Sequence, residues 1–190
     1  MLKEGDQAPP FSLESDAGKQ VSLDDFSGVT LVVYFYPKDD TPGCTVEAKE
    51  FAAAAADICA AGARVVGISK DSVKSHCRFR DKYGLNFPLL SDPDLKVHEA
   101  FGSYGEKTMY GKKVMGTIRS TFLVEDGTIT RVWPGVKVAG HVEAVLAALR
   151  EERAPGGSSK APPASRKPRA KVVRAALGAE PDRAPKKPAR

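Results

Sequence analysis

From Val29 to Tyr36 the chain reads Val-Thr-Leu-Val-Val-Tyr-Phe-Tyr, apolar on both faces, the pattern of a central strand that stops at Pro37. The rhythm then changes. From Thr41 through Glu47, Phe51 and the alanines at 52–56 the spacing predicts a helix to about Ala61, with Gly62 where a terminating glycine belongs. Arg64 to Ser69 reads as a second buried strand, and Ser72 to Tyr83 as a helix that Gly84 ends. Phe87–Leu90 predicts a short strand and Leu95–Phe101 a short helix, whereas residues 102–118 are Gly-rich with little periodicity. Ser120–Glu125 and Thr128–Trp133 flank Asp126-Gly127, a strong hairpin signal, and His141–Arg150 is an amphipathic helix. Strands alternating with helices and closing in a hairpin predict the α/β class, a central mixed sheet flanked by helices. No internal repeat is visible.

Charge divides the chain in two. Residues 154–190 hold ten Lys and Arg against two acids, a balance of +8, so that residues 1–153 carry −3 of the overall +5. The same 37 residues hold seven prolines, nine alanines and no aromatic, too little apolar surface to offset the entropy of ordering them. The expected organisation is one folded domain over 1–153 and a disordered basic Pro/Ala/Lys/Arg-rich tail over 154–190. Two readings of the tail stand side by side: a solubilising extension, or weak, sequence-blind and salt-sensitive binding to nucleic acid or another polyanion. No apolar run would span a bilayer, and the opening Met-Leu-Lys-Glu-Gly-Asp has no apolar core of a secretory signal, so no membrane partner is expected. Three cysteines without a Cys-x-x-Cys pair fit neither a disulfide scaffold nor a zinc ribbon, and point to a reducing, cytoplasmic setting.

The chemistry gathers at Pro37-Lys-Asp-Asp-Thr-Pro-Gly-Cys44. Thr41 is a good N-cap residue and Pro42 suits the first helical position, which places Cys44 third in the helix. There the positive end of the helix dipole favours a thiolate. Cap geometry predicts the Thr41 hydroxyl oxygen directed at the Cys44 N–H, and the unpaired N–H groups of that turn can hold an oxyanion beside the sulfur. Such a corner is the layout of a thiol enzyme.

Pro37, Thr41 and Cys44, as Pro-x-x-x-Thr-x-x-Cys, resemble the active-site motif of peroxiredoxins. The longer string Tyr34-Phe-Tyr-Pro-Lys-Asp-Asp-Thr-Pro-Gly-Cys-Thr-Val-Glu47 resembles the bacterioferritin-comigratory, or peroxiredoxin Q, branch. The likeness continues through Gly67-Ile-Ser-Lys-Asp-Ser, Phe87-Pro-Leu-Leu-Ser-Asp, Glu106-Lys-Thr-Met-Tyr-Gly-Lys, Arg119-Ser-Thr-Phe and Val136-Lys-Val-Ala-Gly-His, covering about residues 3–152. It implies a thioredoxin-like fold and a thiol peroxidase for hydrogen peroxide and organic hydroperoxides, recycled by thioredoxin or a similar thiol donor. No cofactor is implied, because the cysteine supplies the redox chemistry, and branch members are often monomers. Carried over, Cys44 is the peroxidatic cysteine that becomes a sulfenic acid. Thr41 hydrogen-bonds peroxide and sulfur, Pro37 shields the pocket from water, and Arg119 stabilises the thiolate and the departing oxygen. Glu47, one turn beyond Cys44, is placed to orient Arg119 by a bidentate contact.

One position departs from the branch. Many members carry a resolving cysteine five residues after the first, where this chain has Lys49. Cys59 is fifteen residues along the same helix from Cys44, about 22 Å at 1.5 Å per residue, far beyond the roughly 7 Å between α-carbons that a disulfide tolerates. Cys77, on the boundary of the next helix, is the favoured resolving residue. Some members resolve from this helix, about one turn later, near Arg80. A one-cysteine mechanism served by an outside thiol stays open.

Simpler roles suit other residues. Cys59 reads as inert packing, Trp133 as core or rim, and His76, His98 and His141, with no ligand spacing, as surface or helix-edge residues; no metal site is expected. Two other functions compete with the peroxidase: a polyanion-binding protein that works through the tail, and a thiol–disulfide oxidoreductase, against which the missing Cys-x-x-Cys counts.

Overall fold

The computed structural model describes residues 1–109 and 112–153. The tail expected to be disordered over 154–190 lies outside the described residues. In chain order the elements are β1 (Ser12–Ser15), β2 (Gln20–Ser22), a 3-10 turn (Leu23–Phe26), β3 (Thr30–Phe35), α1 (Pro42–Ala60), β4 (Ala63–Ser69), α2 (Val73–Tyr83), β5 (Leu89–Ser91), α3 (Lys96–Ala100), β6 (Tyr104–Met109), β7 (Lys112–Thr117), β8 (Ser120–Glu125), β9 (Thr128–Pro134) and α4 (His141–Arg153).

Seven strands form one mixed sheet in the order β2-β1-β5-β4-β3-β8-β9. β3, β4 and β5 run parallel, joined through α1 and α2, while β1 and β8 pair antiparallel with the two sides of that trio. The central place of β3 follows from its composition. Val32, Tyr34 and Tyr36 face a core shared with α1, α2 and α4, and Leu31, Val33 and Phe35 face a second core with α3 and the N-terminal segment. A strand buried on both sides must be apolar at consecutive positions. Phe51 of α1 is fully buried, its ring centroid 4.8 Å from that of Tyr34, and burying such a side chain is worth roughly 1.5–3 kcal/mol.

The predicted helix boundaries are found in place. Thr41 occupies the N-cap position of α1 with Pro42 first in the helix, and Ser72 caps α2 by accepting from the Ser75 N–H. Gly62 and Gly84 take positive φ just beyond the two helices. Asp126 and Gly127, both with positive φ, turn β8 into β9.

Two segments escaped the pattern. Residues expected to be irregular form the β6–β7 hairpin, which pairs Gly105 with Gly116 and leaves Glu106, Lys113 and Met115 exposed. Among its described side chains only Thr117 is buried, too little to impose a readable alternation. β1 and β2 are only four and three residues long, below the length at which period two can be read.

Candidate active site

The site forms where β3 ends, α1 begins and β8 approaches. Cys44 is the third residue of α1 and only 2% exposed. Arg119, the residue before β8, places one guanidinium nitrogen, Nη2, 3.2 Å from Cys44 Sγ and gives the other, Nη1, to Glu47 Oε2. This is possible because β8 pairs with β3 in the register Phe35–Ser120, which sets Arg119 opposite the loop leaving β3. Glu47 lies one turn beyond Cys44 on the same helix face, so Arg119 is gripped from one side and holds the sulfur with the other. The contact expected to be bidentate is made through one carboxylate oxygen only, because the second guanidinium nitrogen is turned to Cys44.

Glu47 is fully buried and its Oε1 has no hydrogen-bond partner among the described residues. Burial pushes its carboxyl up from 4.5 to about 7, even with Arg119 pulling the other way. Arg119 is moved upward: burial opposes its charge, but Glu47 and Cys44 more than offset that and hold it protonated. Beneath them Tyr34 is stacked on Phe51 and Tyr36, and its hydroxyl is buried without a hydrogen-bond partner among the described residues. Burial first, then the charges of Glu47 and Cys44, push its phenol well above the ordinary value, so the ring stays neutral.

Thr41 corrects one expectation. Its hydroxyl does not cap α1; it donates to the Lys38 carbonyl at 3.1 Å. Asp40 takes a left-handed conformation, φ 54°, and the tight turn it makes brings that carbonyl under the hydroxyl. The first N–H groups of α1 are thus left without a side-chain cap, facing the space an anion would occupy. Pro37 is half-buried at the mouth of the same loop.

The remaining thiols lie apart. Cys77 is half-buried on α2, with Sγ 3.7 Å from Asp81 Oδ2 and 3.8 Å from Arg80 Nη2. Cys59, read as inert packing, is instead exposed at the far end of α1, with Arg64 Nη1 3.3 Å from its sulfur. The Cys59 position falls on the solvent side of a helix whose buried stripe is Cys44, Glu47, Ala48, Phe51 and Ile58.

The histidines overturn their reading as surface residues: His76, His98 and His141 are all buried. Each has a polar partner that removes the cost of burial. His76 meets Asp39, His98 meets Asp92 at 2.7 Å, and His141 shares a 2.8 Å hydrogen bond with Thr121. His141 belongs to the site's surroundings, since burial and then the Arg119 charge push its pKa down from 6.5 to about 4. Trp133 is half-buried with its ring centroid 5.8 Å from that of His141. Thr121 lies 20 positions before His141 and nothing local in the sequence links them. Among the described residues no group of His, Cys, Asp or Glu has the arrangement of a metal site, and no helix is long and apolar enough to cross a membrane.

Known proteins are similar to this chain. Residues 4–132 match the AhpC/TSA family. Peroxiredoxin Bcp of Xanthomonas campestris is 51% identical over 142 residues, 74% of this chain and 88% of the relative, and peroxiredoxin Bcp of Escherichia coli is 46% identical over 79% and 97%. A solved structure of Xanthomonas campestris peroxiredoxin Q superposes with a TM-score of 0.71 at 49% identity, covering 74% of this chain and 90% of that one. The Cys-to-Ser variant structure of Xylella fastidiosa PrxQ gives 0.75 at 40% identity, over 80% and 98%. These neighbours share the thioredoxin-like architecture anticipated for residues 1–153. With the arginine-held cysteine at the start of α1, they place the chain in the AhpC/TSA family of peroxiredoxins, on its Bcp or peroxiredoxin Q branch.

Proposed function

We propose that this peroxiredoxin, a thiol peroxidase, reduces hydrogen peroxide and organic hydroperoxides through Cys44. The observation that carries the reading is Arg119, fixed by buried Glu47 and donating to Cys44 Sγ at 3.2 Å. A guanidinium held there favours the thiolate and meets negative charge without reorganising. The sulfur attacks the terminal peroxide oxygen in line, the O–O bond breaks, and Cys44 becomes a sulfenic acid. The departing alkoxide or hydroxide develops its charge against Arg119 and the uncapped N–H groups of α1, and leaves as alcohol or water once protonated. Thr41, whose hydroxyl proton is committed to Lys38, presents its oxygen as acceptor for the peroxide O–H. Pro37 limits access of water at the loop mouth. A solved structure of the Xanthomonas campestris bacterioferritin comigratory protein is described by its alkyl peroxide reduction activity, which supports the substrate class.

Cys77 is the proposed resolving residue. Its thiolate attacks the Cys44 sulfenic sulfur, hydroxide leaves as water after taking up a proton, and a Cys44–Cys77 disulfide forms. A dithiol protein such as thioredoxin then returns both sulfurs to thiols. We assign the activity to residues 1–153, a cytoplasmic monomer being the simplest form.

The test is peroxide reduction coupled to thioredoxin, thioredoxin reductase and NADPH, for the wild type and each Cys→Ser variant. The expected pattern is turnover lost in Cys44→Ser, strongly reduced in Cys77→Ser and kept in Cys59→Ser. Full turnover by Cys44→Ser would overturn the reading.

A further inference from the structure

Arg119 stands just outside the β3–β8 ladder, which begins at Phe35 and Ser120, yet its guanidinium must meet one sulfur. Three polar contacts hold this stretch of chain. The Val136 N–H donates to the Arg119 carbonyl at 2.9 Å. Ser120 is fully buried, with its hydroxyl 2.7 Å from that of Ser103 and donating to the Ile118 carbonyl at 3.0 Å. Thr121, also fully buried, has its Oγ1 2.8 Å from Nε2 of His141.

The last two contacts point to opposite faces of the sheet. Alternation along β8 sends Thr121 with Leu123 to the core shared with α1 and α4, and Ser120 with Phe122 to the other core. His141 is the first residue of α4 and is buried. Its N–H donates to the Val138 carbonyl at 3.1 Å and closes the turn out of residues 135–140. Its ring stands edge-on to two others: Phe51, with centroids 6.1 Å apart at 84°, and Trp133, with centroids 5.8 Å apart at 77°. Phe51 lies two turns after Cys44 on the buried stripe of α1, and Trp133 pairs with Thr121 across β8 and β9. The imidazole is therefore wedged between the helix that carries Cys44 and the strand that follows Arg119. Burial and then the Arg119 charge oppose a proton on the ring, so it adds no repulsion beside the guanidinium. The same connection reaches the turn of the sulfur itself, since a Cβ on Gly43 would lie 4.0 Å from Val138 Cγ2 and 3.5 Å from Arg119 Nη2.

We propose that His141 is a positioning residue for peroxide reduction: through Thr121 it fixes the start of β8 against α1, and so sets Arg119 on the Cys44 sulfur. This deepens the reading of Cys44 as the peroxidatic residue and rests on it. The hydrogen bond matters here, and the bulk of the ring does not. A buried hydroxyl needs a partner; tied to α4, the Thr121 hydroxyl keeps the backbone two residues after Arg119 in one place. The guanidinium then meets developing charge without reorganising, whereas displacing a positioned group by about 1 Å can cost about 100-fold in rate. Glu47 grips the guanidinium from α1, and His141 holds the strand behind it from α4.

The experiment measures Cys44 oxidation by hydrogen peroxide in stopped flow, for the full chain and for Thr121→Val, His141→Phe and His141→Gln, each with Arg119 present and with Arg119→Gln. Thr121→Val and His141→Phe keep the bulk and lose the hydrogen bond. Each should slow oxidation at least threefold with Arg119 present and less than twofold with Arg119→Gln, because the effect passes through the guanidinium. His141→Gln, whose amide can stand where Nε2 does, should stay within twofold of the wild type. A merely structural role would lower stability in urea and leave the oxidation rate of folded protein alone, or slow it equally on both backgrounds. Slowing below threefold with Arg119 present, equal slowing on both backgrounds, or His141→Gln no faster than His141→Phe would each overturn the proposal. Thr121→Val, almost isosteric, serves if His141→Phe does not fold. Cys44 left unoxidised by peroxide in the wild type would instead overturn the peroxidase reading. The rate of Cys44 alkylation by iodoacetamide at pH 6, followed by peptide mapping, then decides the proposal by the same ratios, equal rates across the variants overturning it.

Discussion

Replacing Glu47 by glutamine and His141 by glutamine should tilt the pH dependence of stability in opposite directions. Burial raises the Glu47 carboxyl from 4.5 to about 7. As pH rises through that window the unfolded chain gives up the proton while the folded one keeps it, so Glu47 lowers stability progressively and fully above about pH 7. His141 is depressed from 6.5 to about 4 by burial and by Arg119. As pH falls through that window the unfolded chain takes a proton that the folded one refuses, so His141 removes stability toward acid. Each shift spans about 2.5 pH units, and at 1.36 kcal/mol per unit each amounts to about 3 kcal/mol. The two nearly cancel in the wild type between about pH 4.5 and 6.5. Glu47→Gln therefore exposes the histidine, and stability should climb by about 3 kcal/mol more than in wild type from pH 4.5 to 7. His141→Gln exposes the carboxyl and should show the reverse slope, while the double variant should return to the wild-type profile. Urea denaturation at half-unit pH steps, followed by Trp133 fluorescence, gives the curves. Parallel curves for all four proteins would refute the reasoning.

Arg119→Gln removes a charge-assisted hydrogen bond to sulfur, worth about 1.5–3 kcal/mol; the rate of Cys44 oxidation in stopped flow should fall by roughly 10- to 100-fold. Gly67→Ala would place a Cβ 2.7 Å from the Tyr34 hydroxyl and 2.8 Å from its ring carbons. Tyr34 is confined between Tyr36 and Phe51, and the overpacking should cost about 1–3 kcal/mol in urea denaturation. Deleting residues 154–190 should leave the peroxide-reduction rate within twofold, since the family match ends at 132 and every proposed site residue precedes 154; a larger loss would place part of the activity in the tail.

Much of this molecule was legible because its signals are local. The apolar run of β3, the Thr41-Pro42 start and Gly62 stop of α1, and the Asp126-Gly127 turn each lie within one short window, and each folds as read. Cys44 and Glu47, one turn apart on α1, share Arg119 because helical spacing puts them on one face. What stayed hidden depends on contacts between distant parts of the chain. His76 and Asp39 are 37 positions apart, and a buried histidine looks like a surface one until its partner is known. The β6–β7 hairpin buries only Thr117 among its described side chains, so no alternation announces it. The Thr41 hydroxyl was misdirected because its partner, the Lys38 carbonyl, depends on the left-handed turn at Asp40, which the capping preference of threonine does not encode.

The most direct measurement is peptide mapping by mass spectrometry, under non-reducing conditions, within seconds of adding one equivalent of hydrogen peroxide to the reduced protein. A Cys44–Cys77 crosslink within one chain, with Cys59 still a free thiol, is the predicted result. Cys44 recovered unoxidised while the peroxide persists would contradict the account at its centre.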